Sequence, residues 1–351
     1  MENSLNNYFA LGAAALVLVG LLTPIMRKLA IKIDALDKPN ASRKDQTEPV
    51  PYLGGIAIVI GVVSISYIAI LSRAHSGQML NMATSVFLPA VAIAIMGLLD
   101  DLYGLEAWPR LAAQTGTAIL VAIYLISTNT IGTPFTNNFL NGCITAFWIV
   151  GVCNAINFFD NLDGGAAGTV AVITIFLFLI SFQTHQILVS ALAIVTAGST
   201  LGFLFWNRSP ARIYMGDAGA LFLGIIVSVL TIRLNPGITP RAASLAIPLL
   251  LMAVPILDTT VAVTSRIHGG ISPLQGGRDH LSHRLLRLGL GKRRSALALW
   301  SLTAIFGAFA LIIYRKPEML AAPIAFVATA LWTLLLVFFL RIASVDATAT
   351  K

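Results

Sequence analysis

Residues 139–182 read FLNGCITAFWIVGVCNAINFFDNLDGGAAGTVAVITIFLFLISF, two charge-free apolar runs (139–159 and 165–182) parted by a short segment carrying Asp160 and Asp163. Each run approaches the ~20 residues that a helix needs to cross a ~30 Å hydrocarbon core. The joint between them is too short for anything but a tight reversal at the membrane surface. Helix, acidic turn, helix is therefore the unit from which the fold is read.

The same unit recurs outward in both directions. Apolar stretches lie at 5–26, 53–72, 79–99, 111–128, 187–206, 218–232, 242–257, 295–314 and 319–340, which with the first two make eleven candidate spans. The weakest are 218–232, which is short, and 242–257, which runs on through Asp258 to Ser265. The chain has 57% hydrophobic and 11% charged residues and a mean hydropathy of +0.85, against about 25% charged residues in soluble domains. No water-soluble fold hides that much apolar surface. The expectation is an all-α polytopic membrane protein, one domain over 1–351, with the lipid bilayer as its surroundings. The first span is preceded only by Glu2, with neither a basic leader nor a small-residue cleavage site, so it reads as a span rather than a cleaved signal.

Basic residues choose the orientation. With the N-terminus outside, 18 Lys and Arg fall in cytoplasmic segments (about 27–52, 100–110, 160–164, 207–217 and 266–294, and the C-terminus), against five outside: Arg73, Arg233, Arg241, Arg315 and Lys316. The C-terminus is then cytoplasmic. The net charge of +8 is a topology signal and a match to anionic lipid head groups, not a nucleic-acid surface. Cys143 and Cys153 both fall within the fifth span without a paired spacing, and both read as buried packing residues.

This topology gathers the acids. All eleven aspartates fall in cytoplasmic segments or at the cytoplasmic ends of spans, joined by Glu48 and Glu106. Acidic residues follow no topological rule of their own, so their one-sidedness asks for a chemical cause. Asp100 and Asp101 close the third span, where adjacent carboxylates oppose the helix dipole and are costly unless a cation or proton is shared. Asn154, Asn157, Asp160 and Asp163 follow at three-residue steps, on one face of a helical turn, and Gly164, Gly165 and Gly168 let a ligand approach the backbone. Asp217 opens the eighth span. Alone it would be an N-cap, but beside the other two clusters it reads as a ligand for a hard cation such as Mg²⁺, with Mn²⁺ as substitute. The 266–294 segment adds His268, Arg278, Asp279, His280, His283 and Arg284, suited to phosphate by charge-assisted hydrogen bonds. Zinc is disfavoured, because no Cys or third His stands at a suitable spacing. An acid-bound cation, basic side chains and an apolar scaffold suit phosphoryl transfer between a cytosolic metabolite and a membrane lipid. A transporter would put its ionisable groups near the bilayer midplane, often in paired repeats, and here they cap span ends on one side.

Six motifs in order, namely DKPNASRKDQTEPVPYLGG at 37–55, Asp100–Asp101, NxxNxxDxxDG at 154–164, the Asn207–Asp217 segment, PILDTT at 255–260 and RDHLSHRL at 278–285, resemble the polyprenyl-phosphate N-acetylhexosamine-1-phosphate transferase superfamily. The resemblance implies a bundle of ten or eleven membrane helices in the bacterial cell membrane. It also implies transfer of a sugar-1-phosphate from a UDP-sugar to polyprenyl phosphate on the cytoplasmic face, with Mg²⁺ and release of UMP. On that likeness Asp217 is the metal ligand with Asn157 as a second, and Asp100 and Asp101 engage the lipid phosphate as base or as orienting groups. Asn154, Asp160, Asp163 and Asn207 lie where the nucleotide binds, and Tyr214 stacks on uracil. Lys44, Arg110, Arg278, Arg284, His280 and His283 meet the pyrophosphate and sugar, the two histidines as catalytic groups. A homodimer is compatible with this resemblance. The chain departs from the family pattern at Ser282, Gln46 and Arg110, where several members carry His, His and Lys. Those departures point away from the peptidoglycan-type subgroup, whose sugar carries a pentapeptide, and towards the GlcNAc type.

Overall fold

A computed structural model describes residues 4–37, 49–72, 77–273 and 277–342. Among them the regular structure is helical apart from one short ribbon, in which β1 (Leu36–Asp37) pairs antiparallel with β2 (Val50–Pro51). The first five helices are α1 (Leu5–Lys32), α2 (Gly54–Leu71), α3 (Gly77–Tyr103), α4 (Ala107–Ser127) and α5 (Asn138–Phe159). Three follow through the middle: α6 (Gly165–Gln183), α7 (Ile187–Asn207) and α8 (Gly216–Arg233). The last five are α9 (Arg241–Leu251), α10 (Ala253–His268), the short α11 (Leu281–Arg287), α12 (Lys292–Arg315) and α13 (Pro317–Arg341).

Among the described residues ten helices are long and apolar enough to cross a membrane, and α9 and α10, bent by 66° at the break between them, pass the same test as a pair. Ten of the eleven expected spans thus have a single-helix counterpart, the eleventh falls on the bent pair, and the chain is a multi-pass membrane protein. The break has a covalent cause. Pro255 carries no N–H with which to bond Leu251, and its ring crowds that carbonyl, so α9 stops at Leu251 and α10 sets off in a new direction.

Apolar lipid tails give no hydrophobic drive for helices to associate, so close packing must hold the bundle. Glycine makes it possible. Along α1 and α7, a Cβ at Gly198 would lie 2.1 Å from the Gly12 oxygen, and one at Gly202 2.3 Å from the Leu16 oxygen. Around α8 the same device is used on three sides: a Cβ at Gly55 of α2 would meet Gly219 nitrogen at 2.3 Å, one at Gly97 of α3 the Asp217 carbonyl carbon at 2.6 Å, and one at Gly224 the Cα of Cys153 at 2.6 Å. The shortest span in the sequence is therefore the most buried one in the bundle. Cys153 is buried as expected, but Cys143 is exposed on the outer surface of α5, because it falls on the face that α4 and α8 leave uncovered.

Candidate active site

Hydrogen bonds tie the acid-bearing helix ends into one end of the bundle, called here the site face. Asn157 of α5 donates from Nδ2 to Asp217 Oδ1 of α8 at 2.8 Å. Arg110 of α4 reaches both Asp100 of α3 and, at 3.2 Å, Asp217 Oδ2. Asp163 accepts from the Ala211 N–H at 3.3 Å and lies 3.6 Å from Lys292 Nζ of α12. Gln186 with Asn235, Gly132 with Ile232 and Arg241 with Pro134 are joined at the opposite end.

At the site face is a cavity of about 430 Å³. Five carboxylates line it: Asp37, Asp101, Asp160, Asp163 and Asp217. Tyr52, Asn157, Asn161, Tyr214, His283 and Lys292 complete its polar wall. The local backbone explains how so many acids converge. Gly216 has φ +68°, and a Cβ there would lie 2.4 Å from Asp101 Oδ2, so the turn into α8 admits only glycine. That turn aims the first N–H groups of α8 at Asp101, which accepts from Asp217 N at 3.1 Å and from Ala218 N at 3.4 Å. Asp101 is thus an N-cap supplied by another helix, favoured by the positive end of the α8 dipole. Its neighbour Asp100 accepts from Leu105 N at 2.7 Å and binds Arg110. The two adjacent acids face different positive partners, which offsets part of their mutual repulsion. Asp160, which ends α5, has its pKa pushed up to about 7, first by burial and then by the charges of Asp217 and Asp163. Burial, with Asp163 and Asp160 beside it, also raises the Tyr214 hydroxyl, which stays protonated and able to donate.

Several expected site residues are placed elsewhere among the described residues. Asp100 lies behind Arg110, outside the cavity lining, closing the α3–α4 turn. Asn154, one turn deeper than Asn157, bonds Gln114 at 2.6 Å and faces α4 rather than the cavity. Asn207 is buried and acts as a brace, accepting from Gly164 N at 3.0 Å and donating to Ile213 O at 3.0 Å. His280 is 5% exposed: Nδ1 lies 2.7 Å from Asp258 Oδ2 and Nε2 3.2 Å from Arg266 Nη2, so the ring holds α11 against α10 and does not reach the cavity. Since Arg266 can only donate, the fitting neutral tautomer carries its proton on Nδ1. Arg284 is 1% exposed and donates to the carbonyls of Asp279, Phe339 and Ile342 and to Ser265 Oγ. It fastens α11 to the end of α13 and does not line the cavity. Arg278 is half-buried and outside the cavity lining, and Lys44 lies outside the described residues.

Other residues of the site carried no separate signal. Lys292, first residue of α12, was hidden in a run of three basic residues. Asn161 lines the cavity and accepts from Ser282 Oγ, so the serine that departs from the family pattern ties α11 to the turn after α5. The buried pair of Arg266 Nε and Asp279 Oδ2, 2.9 Å apart, completes the support under α11.

The donors suit a hard divalent cation. Asp217 offers carboxylate oxygen, and Asn157, with its amide nitrogen on Asp217, offers its carboxamide oxygen. No three His, Cys, Asp or Glu side chains among the described residues converge to enclose a metal by themselves. That fits Mg²⁺, which is commonly held by one or two carboxylates together with substrate phosphates and water. Five acids around one cavity, faced by few cations, leave an excess of negative charge that such an ion would relieve.

A multi-pass bundle with an acid-lined cavity at one end suits a membrane-embedded transferase, and the family agrees. Residues 83–235, from α3 through α8, match the model of glycosyl transferase family 4, and the chain belongs to that family. It is 35% identical over 319 residues, 89% of this chain and 87% of the relative, to a probable undecaprenyl-phosphate N-acetylglucosaminyl 1-phosphate transferase of Bacillus subtilis. It is 32% identical to a decaprenyl-phosphate N-acetylglucosaminephosphotransferase of Mycolicibacterium smegmatis, over 86% of this chain and 82% of that one. A phospho-N-acetylmuramoyl-pentapeptide-transferase of Streptococcus equi is 29% identical over 53% of this chain and 59% of its own.

Proposed function

We propose that this protein transfers N-acetylglucosamine-1-phosphate from a UDP-sugar to undecaprenyl or a similar polyprenyl phosphate, releasing UMP, on the cytoplasmic face of a bacterial cell membrane. The observation that carries the reading is the convergence of Asp101, Asp160, Asp163, Asp217 and Asn157 on one cavity at the end of an apolar bundle. The names of the relatives that cover most of the chain favour the GlcNAc donor, whereas the pentapeptide transferase match spans only about half of it. The excess of basic residues on that side favours a cytoplasmic site face, where nucleotide sugars are made.

In the reaction an oxygen of the lipid phosphate bonds to the phosphorus that bears the sugar. The bond from that phosphorus to the bridging oxygen breaks, and the oxygen leaves with UMP. Such a step needs positioning and charge neutralisation more than covalent help. Asp217 and Asn157 would hold Mg²⁺, whose chemistry there is to neutralise phosphate oxygens. Tyr214 offers a ring face for a base, and Lys292 a compact positive charge for phosphate. Arg110 keeps Asp217 in register with Asp100. The lipid phosphate has a second pKa near ~6 and is mostly ionised at neutral pH, so Asp101 has more to orient than to deprotonate.

The test is turnover by purified protein given undecaprenyl phosphate, MgCl₂ and a panel of UDP-sugars. UMP should appear with UDP-GlcNAc and vanish with EDTA. Absence of UMP with every sugar overturns the reaction, and EDTA-resistant turnover overturns the metal.

A further inference from the structure

A second cavity, of about 480 Å³, opens beside the first, between the end of α7 and the first turns of α12. Asp163 stands at the wall they share. The second cavity is divided by chemistry along the membrane normal. Phe205 of α7 lies about one turn deeper than Arg208, which caps that helix, and on α12 Leu297 lies one turn deeper than Arg293. A turn is about 5.4 Å, so on both walls the cation sits at the site face and the apolar side chain towards the hydrocarbon. Phe205 and Leu297 are 57% and 55% exposed on the outside of the bundle, so the deep end opens to lipid.

Arg208, Arg212 and Arg293 are all exposed around the mouth of the cavity, and the protein itself holds two of them in place. Arg293 Nε donates to Ser209 O at 2.8 Å, the Arg212 guanidinium lies 5.8 Å from the Trp206 ring centre, and Arg27 Nε holds the Arg212 carbonyl at 3.0 Å. Lys292 faces Asp163, so the mouth is positive on balance. None of the three mouth arginines, Arg208, Arg212 and Arg293, lines the catalytic cavity.

We propose that this cavity seats an anionic glycerophospholipid of the surrounding leaflet, its phosphate among Arg208, Arg212 and Arg293 and one acyl chain along Phe205, Leu297 and Trp300. The proposal stands apart from the transferase reading, since lipid occupancy can be measured without turnover. Three arginines at a membrane surface favour an anionic head group, and the expected preference for an anionic over a zwitterionic lipid is roughly tenfold.

The experiment is native mass spectrometry of the detergent-purified full chain, titrated with dioleoyl phosphatidylglycerol or dioleoyl phosphatidylcholine. One phosphatidylglycerol should be retained at roughly a tenth of the concentration needed for phosphatidylcholine. The Arg212→Gln/Arg293→Gln double variant and, separately, Arg208→Glu should bring the two lipids level, while Arg315→Gln/Lys316→Gln at the opposite end should change nothing. Arg208 serves as the second probe, because losing the Arg293 bond to Ser209 could disturb the loop itself. Equal retention by the wild type, or a preference that survives both site variants, overturns the proposal. So does one-for-one displacement of phosphatidylglycerol by undecaprenyl phosphate, which would make the cavity an acceptor seat.

Discussion

Arg284 and Asp217 separate what a motif says from what a side chain touches. Arg284 stands in a stretch rich in phosphate-binding residue types, yet its guanidinium satisfies carbonyls at the end of α13. Arg284→Gln should therefore lower the melting temperature, at a cost of about 1–3 kcal/mol for the unpaired carbonyls, and leave KM for the nucleotide sugar unchanged in the folded fraction. A raised KM with normal stability would return it to the site. Asp217→Asn should cut kcat by roughly a hundredfold or more, the scale of losing a cation contact, while the hydrogen-bonded framework keeps its melting temperature within a few degrees. For Asp160 the sign follows from its raised pKa. The native state holds that proton more tightly than the unfolded chain, so the stabilisation is complete below the ordinary carboxylate value of 3.8 and is lost as pH rises through about 7. In divalent-free buffer the wild type should lose more thermal stability between about pH 5 and 8 than Asp160→Asn, and parallel curves would rule the assignment out. Residue types and three-residue spacing made Asn157, Asp160, Asp163 and Asp217 readable in the sequence. Spacing alone could not say that Asn154 turns to α4, nor that His280 is held between Asp258 and Arg266.

At the scale of helices, α8 has the shortest apolar signal and the largest structural role. Its glycine contacts with α2, α3 and α5 predict that Gly97→Ala will push on the Asp217 backbone. Overpacking of this kind costs about 1–3 kcal/mol, and turnover should fall further than the loss of folded protein explains. Gly151→Ala is the control, because a Cβ there meets nothing within 4 Å. Equal behaviour of the two variants would show that α8 has room to move. Span length was legible because lipid thickness imposes it. Partners were not: α1 packs on α7 and α4 on α5 through backbone approaches that hydropathy does not encode. The break at α9–α10 was half visible, as an apolar run continuing into Asp258 with Pro248 and Pro255 inside it.

For the whole molecule, orientation is the open arithmetic of 18 basic residues against five. In a Cys143→Ser background, Arg294→Cys at the start of α12 should react with a membrane-impermeant maleimide only after cells are opened. Arg315→Cys, at the other end of the same helix, should react from outside. The reverse pattern would put the acid-lined cavity on the wrong side for nucleotide sugars. The central place of α8 also bears on how the protein meets membranes of different thickness. Among the described spans α13 is the least buried and α1 the next, so they are the helices that lipid touches most. Hydrophobic mismatch is relieved by tilting or by local adjustment of the bilayer around exposed helices. Such strain falls on the periphery, while Asp217 rides on a post that touches almost no lipid, an arrangement that insulates the catalytic geometry from the acyl-chain length of the host membrane.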